Sequence, residues 1–267
     1  MLYYHESIYG KCHWPRSDLI MHARFYHPAE IVIGKIVELS SDNKHHAMRV
    51  LRLKKGDSIT LFNGHGGEYS AHIATINRST TTAVIEDYYD KERESPLTIE
   101  LVQAICVNEK MDWIIQKSVE LGVTSIQPIS TTRSIVHLSD ERACKRLQHW
   151  QKVIISACEQ CGRNLVPQVL PLSSLSDWLS QKKSHPIHDV RLLLIASAIT
   201  RLRDIAKPTG TAGTSLLVGP EGGFTSEEEA AILHTGFVPI RLGKRTLRTE
   251  SVALATISAL QTLWGDF

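Results

Sequence analysis

Between residues 31 and 89 the apolar positions come in short alternating or β-branched stretches: IVIGKIVEL, DSITLFN, EYSAHIATI and TTAVIEDYY. Such a period predicts strands half-buried in a sheet. Turn signals separate them, Lys55-Gly56-Asp57 and Asn63-Gly64-His65-Gly66-Gly67. Between the first two strands DNKHHAMRVLR reads as one short helix. Many short strands joined by glycine turns point to a small β-barrel. The charged segment DKERESP, closed by Pro96, marks the expected boundary, so a unit over 21–95 precedes a second one over 96–267.

Beyond Pro96 the rhythm changes. TIELVQAIC and TSIQPIS read as strands, while RLLLIAS and TSLLVG are continuous apolar runs of the kind found in parallel strands covered on both faces. Met111, Ile114, Ile115, Ser118 and Leu121 share one face of a helix over 110–121 that Gly122 ends. Leu147, Trp150, Ile154, Ala157 and Cys161 stripe a longer helix over 140–161. Residues 226–235 read as a helix, VPIRL as a strand and 250–263 as a closing helix. Strands alternating with helices predict an α/β unit around a parallel sheet.

Composition narrows the class. The chain has 267 residues, 42% hydrophobic and 22% charged, which excludes a largely disordered or collagen-like protein. No apolar stretch is long enough to span a membrane. Net charge is only +2, so any argument for a polyanionic partner rests on local clusters. Five cysteines, an odd number over a long chain, predict reduced thiols and a cytoplasmic protein rather than a disulfide framework. Cys158 and Cys161 are spaced C-x-x-C but sit in the long helix without a second pair. His185 and His188 lie in a polar loop with no further ligands. No metal site is therefore expected. Residues 1–20 have neither a signal-peptide pattern nor periodicity. They are read as a poorly ordered extension or a misassigned start before Met21.

Three segments carry candidate chemistry. In Leu216-Leu217-Val218-Gly219-Pro220-Glu221-Gly222-Gly223-Phe224-Thr225-Ser226 a buried strand runs into a glycine-rich turn and then a helix. Ser226 and Glu229 fit a capping box. In open α/β sheets ligands sit beyond the carboxyl ends of strands, where this loop falls. The phosphate-loop Lys and the dinucleotide glycine fingerprint are both missing. Three acids in the next turn would also repel a phosphate, so the expected ligand is nucleoside-like or cationic. A plain tight turn would use the same glycines.

The second segment, Arg241-Leu242-Gly243-Lys244-Arg245-Thr246-Leu247-Arg248-Thr249-Glu250, places four cations within eight positions. Arg245 and Arg248 are spaced to clamp one phosphate or one base edge, and Thr249 is a candidate cap for the last helix. The third, Lys44 to Lys55, holds five cations and two histidines without an acid. Arg24, Lys44, His46, Arg49, Arg52 and Lys54 are its candidate RNA contacts, with Phe25 and Tyr26 available to stack on bases. A solvated helix face is the alternative. Residues 21–97 hold ten cations and ten acids, so only one face of this unit can be basic. Arg133, after a strand end, is a further candidate for the cleft. No hydrolase elbow or triad spacing is found.

Together LLVGPEGGFTSEE and LGKRTLRTES resemble the cofactor loops of the SPOUT methyltransferases, most of all the RsmE branch, the 16S rRNA (uracil-1498-N3)-methyltransferases. NEKMDWIIQKSVELGV, PISTTRS and ACEQCGR resemble three further blocks of that branch, and HHAMRVLRLKKGD its N-terminal RNA-binding domain. Ser251 and Val252 stand where the branch often has smaller residues. The resemblance implies a PUA-like β-barrel before a trefoil-knotted α/β methyltransferase domain. It also implies S-adenosylmethionine as donor, a homodimer, and 16S rRNA within the 30S subunit as substrate. Carried onto this chain, it expects Val218 to Gly223, Leu242, Gly243, Leu247, Arg248 and Thr249 to hold the donor, with Leu194, Ile195, Leu217 and Leu247 packing its adenine. Arg248 and then Arg245 would stabilise the uracil anion, Arg133 would reach in from the opposite subunit, and Glu250 is the nearest carboxylate. A tRNA or ribose methylase, or a non-catalytic RNA-binding factor, are the rival readings.

Overall fold

The computed structural model describes residues 23–136, 138–182, 190–209 and 213–267. The expected N-terminal extension, His185 and His188 lie outside them. The N-terminal part is a five-stranded sheet in the order β1-β3-β4-β5-β2. Its strands are β1 (Ala23–Tyr26), β2 (Ile36–Glu38), β3 (Ser58–Phe62), β4 (Glu68–Ile76) and β5 (Thr81–Tyr89). Alternate residues face inward, so Phe25, Ile59, Leu61, Ala71, Ile73, Ala83 and Ile85 form one core. The apolar run at 31–39 yields only the three residues of β2. Gly34, at φ 79, turns the chain, Ile31 enters the core and Ile33 and Ile36 stay exposed. The expected single helix is two: α1 (Ser41–His45), capped by the Ser40 hydroxyl, and a π-helical turn over His46–Val50. Arg52 follows with φ 54, a left-handed conformation that is strained for a side chain of its size.

The second sheet is parallel throughout, with order β12-β10-β11-β6-β7-β8 and β9 beside β7. It comprises β6 (Ile99–Ala104), β7 (Ser125–Ser130), β8 (Gln168–Val169), β9 (Ser173–Ser174), β10 (Val190–Leu194), β11 (Thr214–Val218) and β12 (Val238–Ile240). The apolar runs are explained by burial on both faces. Leu101, Leu192 and Leu216 meet α2 (Asn108–Glu120), α3 (Asp140–Cys161) and α6 (Thr249–Trp264) through Ile114, Ile154 and Leu260. Their chain neighbours Val102, Leu193 and Leu217 point the other way, toward Trp178 of α4 (Leu175–Lys182) and Ile232 of α5 (Ser226–Leu233). Residues adjacent in a strand face opposite sides, so each run must be apolar at every position.

The two sheets are joined by a polar clamp. Glu68 of β4 is buried and accepts hydrogen bonds from Arg24 at 2.5 Å and from Lys91 and Arg93 at 2.8 Å. Arg24 also donates to Asn164 Oδ1 at 2.7 Å, and the Tyr26 amide donates to Glu159 at 2.9 Å. Buried Arg163 pairs with Glu94 and donates to the Val119 and Val123 carbonyls. The end of α3 and the turn after Gly162 thus hold the small sheet against the large one.

Candidate active site

The carboxyl ends of three adjacent parallel strands build the site. The chain leaves β10 at Leu194, β11 at Val218 and β12 at Ile240, and the three following segments enclose a cleft of about 520 Å³. Residues from 194–196, 218–224 and 240–249 line it, joined by Lys110 from α2. A pocket of this size suits a small-molecule ligand. Leu194, Ile195, Leu242, Leu247 and Val252 supply apolar wall.

The glycine loop is held from three sides. The Gly223 amide donates to the Pro220 carbonyl at 2.9 Å, and Gly223 has φ 67, which favours glycine. The Thr249 hydroxyl, at the first turn of α6, donates to the Gly219 carbonyl at 2.7 Å and so ties the glycine loop to the end of the basic one. Arg133 donates to the Gly222 and Phe224 carbonyls, both at 3.0 Å. Gly219 lies so close to Phe224 that an added Cβ would meet the ring at 3.0 Å.

The site's charges are ordered. Lys110 Nζ is 3.0 Å from Glu221 and 3.9 Å from Glu250. The Glu221 hydrogen bond pushes the Lys110 pKa up, so this amine stays a cation. Burial would raise the Glu221 carboxyl, but bonds from its own backbone amide and from Lys110 hold it below its ordinary value. The Cys106 thiol is buried beside Thr249 and desolvation pushes its pKa up to about 12, so it is no nucleophile. Cys158 is likewise pushed up to about 12 by burial. Arg245 and Arg248 line the cleft and are exposed.

The structure brings Leu194, Ile195, Val218, Gly219, Pro220, Glu221, Gly223, Leu242, Gly243, Arg245, Leu247, Arg248 and Thr249 together in one cleft. Several expectations need correction. Leu217 is fully buried in the Trp178 core and does not line the cleft. An added Cβ at Gly222 would meet the Arg133 Cβ at 3.2 Å, so that position faces Arg133. Glu250 does not line the cleft, and its carboxylate lies 3.9 Å from the Lys110 amine. Thr225 with Glu228, not Ser226 with Glu229, makes the capping box of α5. Arg248 is the N-cap residue of α6 without a side-chain cap, which frees the Thr249 hydroxyl for Gly219. Arg24 is largely buried against Glu68 and over the Phe62 ring, so it belongs to the clamp and not to an RNA-facing surface. Lys44 bonds the Ser79 carbonyl and the His46 ring packs edge-on against Phe25, whereas Arg49, Arg52 and Lys54 are exposed. Lys110 was not singled out by sequence. Its partners Glu221 and Glu250 are more than a hundred positions away, so spacing along the chain gives no signal for it.

Among the described residues no group of three or more ligating side chains could hold a metal, and no helix is long and apolar enough to cross a membrane. A family model for the RNA methyltransferase domain matches residues 93–261, and one for the RNA methyltransferase PUA domain matches 39–86. Ribosomal RNA small subunit methyltransferase E of Buchnera aphidicola (subsp. Schizaphis graminum) is 36% identical over 245 residues, covering 91% of this chain and 97% of that protein. The Bacillus subtilis protein of the same name is 28% identical over 239 residues, with 85% and 92% covered. Among solved structures, ribosomal RNA small subunit methyltransferase E from Neisseria gonorrhoeae bound to S-adenosyl methionine superposes with a TM-score of 0.84 at 41% identity, covering 92% of this chain and 99% of that one. A putative methyltransferase from Legionella pneumophila in complex with the bound cofactor SAM gives 0.86 at 37% identity, with the same coverage. The fold is that of the SPOUT methyltransferases with a PUA-like N-terminal domain, and the chain belongs to the ribosomal RNA small subunit methyltransferase E family.

Proposed function

We propose that the chain is an S-adenosylmethionine-dependent methyltransferase that methylates N3 of uridine 1498 in 16S rRNA. It would act as a cytoplasmic homodimer on the assembled 30S subunit, with residues 21–95 as its RNA-binding domain and 96–267 as its catalytic one. One observation carries the reading: the ends of three neighbouring parallel strands close a single cleft whose walls are apolar, whose loops offer backbone amides and whose rim is basic.

The cleft fits this donor. Leu194, Ile195 and Leu247 would pack the adenine, the amides of 218–223 and 242–247 would meet its polar edges, and Lys110 with Glu221 would face the zwitterionic amino-acid end. Bound there, S-adenosylmethionine supplies an electrophilic methyl group. The chain's own residues do the rest. Tethering through Thr249 and Arg133 keeps the loops in place before substrate arrives, and such positioning accounts for much of the acceleration available to a two-substrate reaction. As N3 of the uracil loses its proton, negative charge spreads to the flanking oxygens. Arg248 first and Arg245 second would stabilise it, with Lys110 as a third, fixed positive charge. Glu250, close in sequence to these arginines and 3.9 Å from the Lys110 amine, is the candidate acceptor of that proton. The target base must leave any stack before it can enter.

Mass-spectrometric mapping of 16S rRNA from a deletion strain, with and without this gene, tests the reading. The methyl group should return at N3 of uridine 1498. A methyl on ribose, or on no small-subunit nucleotide, would contradict it.

A further inference from the structure

A second groove, of about 600 Å³, runs along the first half of α3. Apolar Val107, Val136 and Leu138 line it together with Arg142, Lys145, Arg146 and His149. These four basic positions recur at spacings of three and four, so they share one face of the helix. Lys145 pairs with exposed Glu141, and His149 with Asp112 at 2.8 Å. Arg142 and Arg146 enter no ion pair among the described residues.

Both ends of this groove lead to sites already described. At one end Val107 lines it, while the Val107 backbone N–H helps hold Glu221, in the cleft, ionised. At the other end Lys152, three residues beyond His149, pairs with Asp42 of α1 at 2.9 Å, next to the π-helical turn that carries Arg49. Within one chain the strip on α3 is thus linked to α1 of the small sheet through Lys152 and to the cleft through Val107. From Arg142 to His149 the helix advances about 10 Å, room for roughly three phosphates of one strand.

We propose that this strip is a binding surface for the rRNA backbone, guiding the strand that carries the target uridine from the N-terminal sheet to the cleft. It reads charge and not sequence, as contacts to phosphate do. The proposal rests on the reading of the chain as an rRNA methyltransferase and adds a path for its substrate.

The full-length double variant Arg142→Gln/Arg146→Gln tests it, with Arg142→Lys/Arg146→Lys as the control that keeps the charge. Binding to small-subunit rRNA is measured across a salt series, beside donor affinity by calorimetry and steady-state methylation. Each lost phosphate contact should make the negative slope of log K against log salt shallower by about 0.7–0.9, so the Gln pair should make it shallower by about 1.5. KM for RNA should rise several-fold, kcat and donor affinity should be unchanged, and the Lys pair should restore the slope. Parallel salt slopes for wild type and the Gln pair would overturn the proposal. So would a changed oligomeric state with an unchanged slope, which would show the face to be covered by a second copy. If the wild-type protein neither bound rRNA nor retained the donor, the functional reading itself would fall, and this proposal with it.

Discussion

Glu68→Gln tests how the two sheets are held together. The Glu68 side chain is 6% exposed and contacts Arg24, Lys91 and Arg93. Burial alone would raise its pKa, but hydrogen bonds from the three cations outweigh it and bring it from 4.5 down to about 2. A carboxyl whose folded pKa is depressed contributes stability above its unfolded pKa and loses it as pH falls through the folded one. The fall from 4.5 to about 2 corresponds to about 3 kcal/mol at neutral pH and about 1 kcal/mol at pH 3. Gln keeps the shape and one acceptor but no charge. The variant should therefore lose about 3 kcal/mol at pH 7 and about 1 kcal/mol at pH 3 relative to wild type. Urea unfolding followed by the fluorescence of buried Trp150, Trp178 and Trp264 measures both. A loss below about 1 kcal/mol at pH 7, the value of an exposed pair, or an equal loss at both pH values, would refute the assignment of Glu68 as a charged clamp.

Four further outcomes are expected. Arg248→Ala should reduce methyl transfer by about a hundredfold or more while donor affinity by calorimetry is nearly retained; unchanged turnover would remove it from the reaction. Lys110→Ala should lower kcat/KM by about ten- to a hundredfold, with partial rescue by Lys110→Arg, because a charge-assisted hydrogen bond is worth about 1.5–3 kcal/mol; equal loss in both variants would show that shape matters more than charge. Thr249→Val leaves the Gly219 carbonyl without its donor and should weaken donor binding about tenfold, the equivalent of about 1.4 kcal/mol; unaltered affinity would show the tether to be idle. Arg133→Ala removes two bonds to the glycine loop and should raise the donor Kd with little effect on kcat at saturating donor; a loss of kcat alone would place Arg133 on the substrate instead.

Legibility in the sequence followed the range of the forces. Helix α3 spans Asp140–Cys161, as its apolar stripe predicts, because that period is local. The loops around Gly219 and Gly243 were legible for the same reason: a strand, a turn and a helix follow one another in the chain. The α5 cap moved by one residue because Thr225 and Ser226 can both accept an amide, and reciprocal bonding with Glu228 favours the first. Long-range partners were not legible. Arg24 looks like a free cation until β4 brings Glu68 to it, and Lys110 looks like helix surface until the turn after β11 brings Glu221. The apolar run at 31–39 looked like a strand, but Gly34 and the burial of Ile31 divert it. Local pattern thus located the loops, and tertiary contacts decided which side chains face the cleft.

The central claim is that the loops around Gly219 and Gly243 together hold S-adenosylmethionine beside Arg248. A crystal structure of the protein grown with that donor tests it most directly. The account predicts its adenine among Leu194, Ile195 and Leu247, with its sulfonium open toward Arg248; a donor bound elsewhere, or the two loops parted around an empty cleft, would contradict it.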